Sequence, residues 1–137
     1  MTLQKAVPLF SVFDMPLAIQ FYCQGLGFEI VNHSPEVDTQ EGRFFHWAYL
    51  KRDGVELMLN TAYDSNERPM QKEPQRWAAH EDVSLYIGCE DLTRISQQLR
   101  DGGIAHDPPK LMPYGFWEFG IIDPDGYRLC FQSQDRT

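Results

Sequence analysis

A short strand, an aspartate placed to cap a helix, glycines that stop that helix and three further strands occur twice along these 137 residues. No other feature limits the fold so tightly. Asp14 caps a helix that tolerates Pro16 in its first turn, presents Leu17, Ala18, Phe21 and Tyr22 on one face, and ends at Gly25 or Gly27. Asp91 stands 77 positions later and repeats the pattern, with Leu92, Ile95 and Leu99 as the apolar stripe and Gly102-Gly103 as the stop. The strands before the helices fall at residues 8–13 and 83–89. Strands at 28–33, 44–52 and 55–61 follow the first helix, and strands at 104–111, 115–122 and 127–132 follow the second. Each half reads β-α-β-β-β. The repeat predicts one α+β domain of two modules, about 5–61 and 82–133, joined by a Glu-, Pro-, Asn- and Gln-rich linker over 62–81. Neither half has core enough to stand comfortably alone, so the modules pair within a chain or across two chains.

The turns assign side chains to faces. Asp53-Gly54 as a two-residue hairpin sets Arg52 opposite Val55, Leu50 opposite Leu57, Tyr49 opposite Met58 and Trp47 opposite Asn60. Ala48, Leu50, Leu57 and Leu59, with His46, then face the helices, and Phe45, Trp47, Tyr49, Glu56 and Met58 face the other way. Asp123-Pro124-Asp125-Gly126, read as a four-residue turn, sets Phe119 opposite Cys130 and Trp117 opposite Gln132. The second face is too apolar to meet water. It is either ordinary core between two sheets or chains, or the aromatic wall of a cleft for a flat organic ligand. The polar members Glu56, Ser84, Arg128 and Gln132 favour the cleft, because they suit a dry core poorly. The expected ligand-binding set is Phe45, Trp47, Tyr49, Glu56, Met58, Ser84, Tyr86, Trp117, Phe119, Arg128 and Cys130.

Charge and composition exclude other classes. A net charge of −8 without a basic stripe argues against a nucleic-acid partner; it is first of all how many cytosolic proteins stay soluble, and beyond that it favours a neutral or cationic ligand. Three cysteines at no metal spacing point to a reducing cytoplasm, and no apolar run approaches the roughly 20 residues of a membrane span. Phosphate loops, nucleophile elbows and kinase signatures are missing from the sequence. The four histidines share no ligand spacing; His46 alone invites comparison with an acid such as Glu118. Cys130 lies two residues from Arg128 on one strand face, which suits a nucleophile, though an inert thiol is the commoner state.

The run Asp14-x-x-x-Ala18-x-x-Phe21-Tyr22-x-x-x-Leu26-Gly27-Phe28, followed by Asp123-Pro124-Asp125-Gly126-Tyr127, resembles the vicinal oxygen chelate superfamily of glyoxalases, extradiol dioxygenases and bleomycin-resistance proteins. Ala6-Val7-Pro8 and Tyr114-Gly115-x-Trp117-Glu118-Phe119 are most similar to the bleomycin-resistance proteins. That resemblance implies curved mixed sheets around a cleft and a homodimer that exchanges modules and holds a drug, without metal, between subunits. Metal-dependent members carry ligands on the first and last strands of each module, and those places fall here on Val7, Met58 (or Glu56 after a slip), Ser84 and Cys130. They do not make a ligand set. The resulting expectation is a protein with no cofactor that sequesters a flat small molecule, neutral or cationic, so that Trp47→Ala or Trp117→Ala weakens binding. The alternatives are a glyoxalase-like lyase or extradiol-type dioxygenase with a metal on Glu56, His46, Glu118 or Cys130, and a sensor whose cleft takes no ligand.

Overall fold

Both expected helices begin where their caps stand. The computed structural model describes residues 1–64 and 67–134. Asp14 accepts the Leu17 N–H at 3.0 Å and opens α1 (Met15–Ile19), which widens into a π-helical stretch over Gln20–Gly25 and stops before Gly27 at φ +78°. Asp91 accepts the Arg94 N–H at 3.0 Å and opens α3 (Leu92–Asp101), which Gly103 ends at φ +87°. The linker is not featureless, for Pro74 starts a short helix, α2 (Pro74–His80).

Among the described residues ten strands accompany these helices: β1 (Leu9–Val12), β2 (Glu29–His33), β3 (Val37–Thr39), β4 (Gly42–Phe44), β5 (Trp47–Arg52), β6 (Val55–Thr61), β7 (Ser84–Gly88), β8 (Lys110–Leu111), β9 (Trp117–Ile122) and β10 (Arg128–Ser133). They form curved, unclosed mixed sheets in the orders β1-β6-β5-β2 and β7-β10-β9-β8. In each sheet the first strand runs parallel to the last and the other pairs are antiparallel. The first module carries β3 and β4 as an added hairpin.

Three expectations need correction. The strand expected over 44–52 breaks at Phe45 and His46, because the Ser34 hydroxyl accepts the N–H groups of His46 (3.2 Å) and Trp47 (3.1 Å) in place of a neighbouring strand. The strand expected over 104–111 shrinks to two residues after Pro108-Pro109, which offer no N–H to a ladder. The last hairpin is shifted by one residue: Phe119 pairs with Phe131, and Cys130 with Gly120. Asp123 closes on Tyr127 by a 2.9 Å backbone bond while its Oδ1 takes the N–H groups of Asp125 and Tyr127, both at 2.8 Å. Only three residues then lie in the loop, with Gly126 at φ +88°. A one-residue slip turns every side chain of the strand over.

One face of each sheet packs on its helix. Ala48, Leu50, Leu57 and Leu59 are wholly buried beneath Tyr22 and Ala18, while Phe119, Leu129 and Phe131 meet Leu92 and Leu99. Full burial of a side chain of this size contributes about 1.5–3 kcal/mol, so these faces carry most of the stability.

The modules join through their repeated parts. The helix ends abut so closely that a Cβ on Gly102 would lie 3.1 Å from the Gly25 carbonyl oxygen, and one on Gly25 would lie 2.7 Å from Ile104 Cδ1. Gly25 and Gly102 are themselves 77 positions apart, so equivalent points of the repeat touch, as across an approximate twofold axis. Beside them the Asp123–Gly126 turn grips the first module. Asp123 accepts the Tyr22 hydroxyl at 2.6 Å, Asp125 accepts the Phe13 N–H at 2.8 Å, and Tyr127 stacks on Phe10 with centroids 4.2 Å apart. Burial pushes the Asp125 carboxyl up to about 6.

Candidate functional site

The sheet faces turned away from the helices gather most of the expected ligand set. In the first module the observed register places Tyr49 opposite Met58 and Trp47 opposite Asn60, with Glu56 in the same phase. Trp47 and Tyr49 meet edge to face, centroids 6.4 Å apart. The Tyr49 hydroxyl donates to Glu56 Oε1 at 2.8 Å, and Lys5 Nζ donates to the same oxygen at 2.8 Å while lying 5.9 Å from the Tyr49 ring centroid. The Lys5 bond, then that of Tyr49, holds the Glu56 carboxyl below its usual range, and the same pairing raises the Lys5 ammonium. An ionised carboxylate beside two aromatic rings is a place where a cation already sits.

The second module's open face is built differently. Ser84 pairs with Arg128 and Tyr86 with Cys130, so these four side chains share it with Gln132. The one-residue shift brings Glu118 onto this face, opposite Gln132, and the carboxyl group is nearly buried there. Its oxygens accept the Tyr114 hydroxyl and, at 3.4 Å, the Cys130 thiol. Burial and then the Glu118 partner push the Cys130 thiol up to about 12, and the nearby Arg128 does not offset them, so the sulfur stays protonated and is a poor nucleophile. The Glu118 bond raises the Tyr114 hydroxyl as well.

Three residues of the expected set lie elsewhere. Trp117 and Phe119 turn to the helix side, where Phe119 stacks between His106 (4.3 Å) and Phe131 (5.1 Å). Phe45, in the break before β5, is buried against Phe44 and His33 at 4.3 and 4.4 Å. Conversely, Lys5, Tyr114 and Glu118 belong to the open faces and were not in the set. A signal for Glu118 was present: Trp117, Phe119 and Ile121 alternate with Glu118 and Gly120, and that period of two gives the apolar members to the core.

The donor set does not fit a metal within one chain. Val7 precedes β1, Met58 faces Leu9, and Ser84 and Cys130 face Arg128 and Tyr86. Among the described residues no three of His, Cys, Asp and Glu come together as metal ligands. His46 Nδ1 lies 3.1 Å from Thr61 Oγ1.

A concavity of about 980 Å³ is not formed by these side chains; it opens on the helix side, between Val55 of one module and Ile87 of the other. In a single chain the open sheet faces leave apolar side chains bare. Leu9 is 49% exposed, Tyr86 55% and Tyr114 56%. Apolar surface of this kind is commonly covered by a ligand or another chain.

The sequence model of the Glyoxalase/Bleomycin resistance protein/Dioxygenase superfamily matches residues 6–131. A bleomycin resistance protein of Geobacillus stearothermophilus is 28% identical over 142 aligned positions, which cover 97% of this chain and 98% of that protein. An antibiotic binding protein from Streptomyces sp. CB03234 superposes with a TM-score of 0.61 at 25% identity, over 96% of this chain and 97% of that one. A bleomycin-binding protein solved in complex with bleomycin gives a TM-score of 0.71 at 20% identity, over 97% and 100% of the two chains.

Proposed function

Because the chain belongs to the glyoxalase/bleomycin resistance protein/dioxygenase superfamily, we propose that it is a small-molecule binding protein of the bleomycin-resistance type. It holds a flat, cationic organic ligand without metal and without turnover, and the outcome is sequestration. The observation that carries this reading is the open face of the first module, where Trp47 and Tyr49 stand beside a Glu56 carboxylate kept ionised. A ring stacked on either aromatic gains about 0.5–1.5 kcal/mol beyond its area burial, and the carboxylate supplies a counter-charge. The acidic balance of the whole chain draws cations inward. Relatives named for bleomycin resistance and antibiotic binding support the same class of ligand.

The proposal includes a homodimer. The open face of the first module carries Leu9, Trp47, Tyr49 and Met58, too apolar a set to remain bare, and a second copy laid over it supplies the opposite wall of a ligand site. Ser84, Tyr86, Arg128 and Cys130 of the second module are the natural complement to the aromatic face of the first.

Titration with metal-free bleomycin, followed by tryptophan fluorescence, tests the site, with light scattering to fix the number of chains. Trp47→Ala is expected to weaken binding about ten-fold while the thermal midpoint barely moves. Unchanged affinity in Trp47→Ala and Tyr49→Ala would remove this face as the site. A saturable rise in melting temperature with Ni²⁺ or Mn²⁺, lost in Glu56→Gln, would turn the reading to a metal-dependent enzyme.

A further inference from the structure

The repeat gives every position at the seam between the modules a counterpart, and one of the two seams is filled while the other is not. The first strands and helices match 77 positions apart; the last strands match 72 apart, with Asp53-Gly54-Val55-Glu56-Leu57 aligned on Asp125-Gly126-Tyr127-Arg128-Leu129. On the filled side Tyr127 stacks on Phe10, and its hydroxyl accepts the Ser11 N–H at 3.0 Å and donates to the Ser11 carbonyl at 3.2 Å. Asp125 takes the Phe13 N–H, and His80 covers the ring at 3.9 Å. The counterparts of Tyr127, Phe10, Ser11, Asp125 and Phe13 are Val55, Ile87, Gly88, Asp53 and Glu90, and all five line the groove of about 980 Å³. Leu3, the counterpart of His80, is exposed.

We propose that this groove binds a small neutral phenol, seated as Tyr127 is seated across the seam. The space opens where valine replaces tyrosine after the Asp-Gly turn. Its volume is of the size that ligand sites use. Ile87 and Val55, with Phe131 and Ile95 behind them, give a ring an apolar bed.

The hydroxyl has a partner in the edge of β7. In a parallel ladder the bonded residues alternate, and the Cys89 N–H donates to Gln132 at 2.9 Å, so residues 85, 87 and 89 turn their backbone groups to β10. The N–H and C=O of Gly88 therefore aim outward, as those of Ser11 do on β1. Gly88 itself lines the groove. Arg52, fixed to the Leu26 carbonyl (2.7 Å) and Gln98 Oε1 (3.0 Å), forms a wall spanning both modules. Arg52 and Arg94 share the lining with Asp53, Glu90 and Asp91, so the groove carries both signs and favours an uncharged guest. This inference does not rest on the ligand reading above, because none of the open-face side chains lines the groove.

The probe is 4-methylphenol, which is the tyrosine side chain freed from its backbone, titrated into the ¹⁵N-labelled full chain. Saturable shifts are expected in the millimolar range at the amides of Val55, Ile87 and Gly88, and toluene, which lacks the hydroxyl, should bind about three- to ten-fold more weakly. Val55→Tyr is expected to fill the groove from within, raise the thermal midpoint and reduce 4-methylphenol binding at least about ten-fold, with Val55→Phe blocking the ring without the hydroxyl. Shifts centred on Tyr49 and Met58, no saturable shift in the unsubstituted protein, or full binding by Val55→Tyr would each overturn the proposal. So would a dimer that dissociates on Val55→Tyr while the unsubstituted protein ignores the phenol, since the groove would then be an interface between copies.

Discussion

The two modules share strand order, helix caps and the glycines where their helices touch, yet their open faces have little in common. On the first, Glu56 is ionised and answered by the Lys5 ammonium beside Trp47 and Tyr49. On the second, Glu118 is nearly buried and answered by neutral donors, the Tyr114 hydroxyl and the Cys130 thiol. The helix-side faces must bury apolar area for either module to fold, which constrains them alike. No such demand acts on the open faces, so chemistry differs where stability permits it.

The comparison can be broken at several points. Phe119→Ala should cost about 3–5 kcal/mol in denaturant unfolding, as a buried phenylalanine does, against about 1 kcal/mol or less for Trp47→Ala on the open face. Equal costs would mean that the helix side and the open side are not energetically distinct. Tyr22→Phe should cost about 1–3 kcal/mol, since it strands the buried Asp123 Oδ2 at the joint between the modules. A neutral result there would show the joint to be slack.

A pH series sharpens the same joint. The folded Asp125 carboxyl titrates at about 6, above the value of about 3.9 for an unfolded aspartate, because burial disfavours its charge. Its contribution to stability is therefore fully present below about pH 4 and is lost as pH rises through about 6. Asp125→Asn keeps an acceptor for the Phe13 N–H and removes the charge, so its stability relative to the parent should climb between pH 4 and 7. A flat difference would place Asp125 outside the strained part of the joint. The smallest effect belongs to the second open face. With Cys23 and Cys89 changed to serine, Glu118→Gln should bring the Cys130 thiol down from about 12, read as faster alkylation by iodoacetamide at pH 9, while Glu56→Gln should leave that rate alone. Identical rates in both would dissolve the link between Glu118 and Cys130.

Much of the fold was legible because its signals are local. Asp14 and Asp91 announce their helices, and Asp53-Gly54 sets the first hairpin in the register that the structure shows. The last hairpin was not legible to the same degree. Whether Asp-Pro-Asp-Gly encloses three or four residues depends on Asp123 turning back onto Tyr127, and that one residue decided whether Trp117 and Phe119 or Glu118 would reach the open face. Alternation along β9 carried the right answer, and the assumed turn length overrode it. Lys5 was invisible as a partner of Glu56, since nothing in a stretch without secondary structure fixes where a lysine ends.

The sequence by itself determined the repeat, the helix boundaries, the first hairpin and an aromatic face in the first module, because capping, glycine stops and strand periodicity act over a few residues. Tertiary structure alone decided which carboxylate meets which donor, where the Asp123–Gly126 turn would grip the other module, and that one seam would close around Tyr127 while its counterpart stayed open. The Lys5–Glu56, Tyr22–Asp123, Phe13–Asp125 and Ser11–Tyr127 contacts join residues 51 to 116 positions apart, and a local pattern holds no information about such pairs.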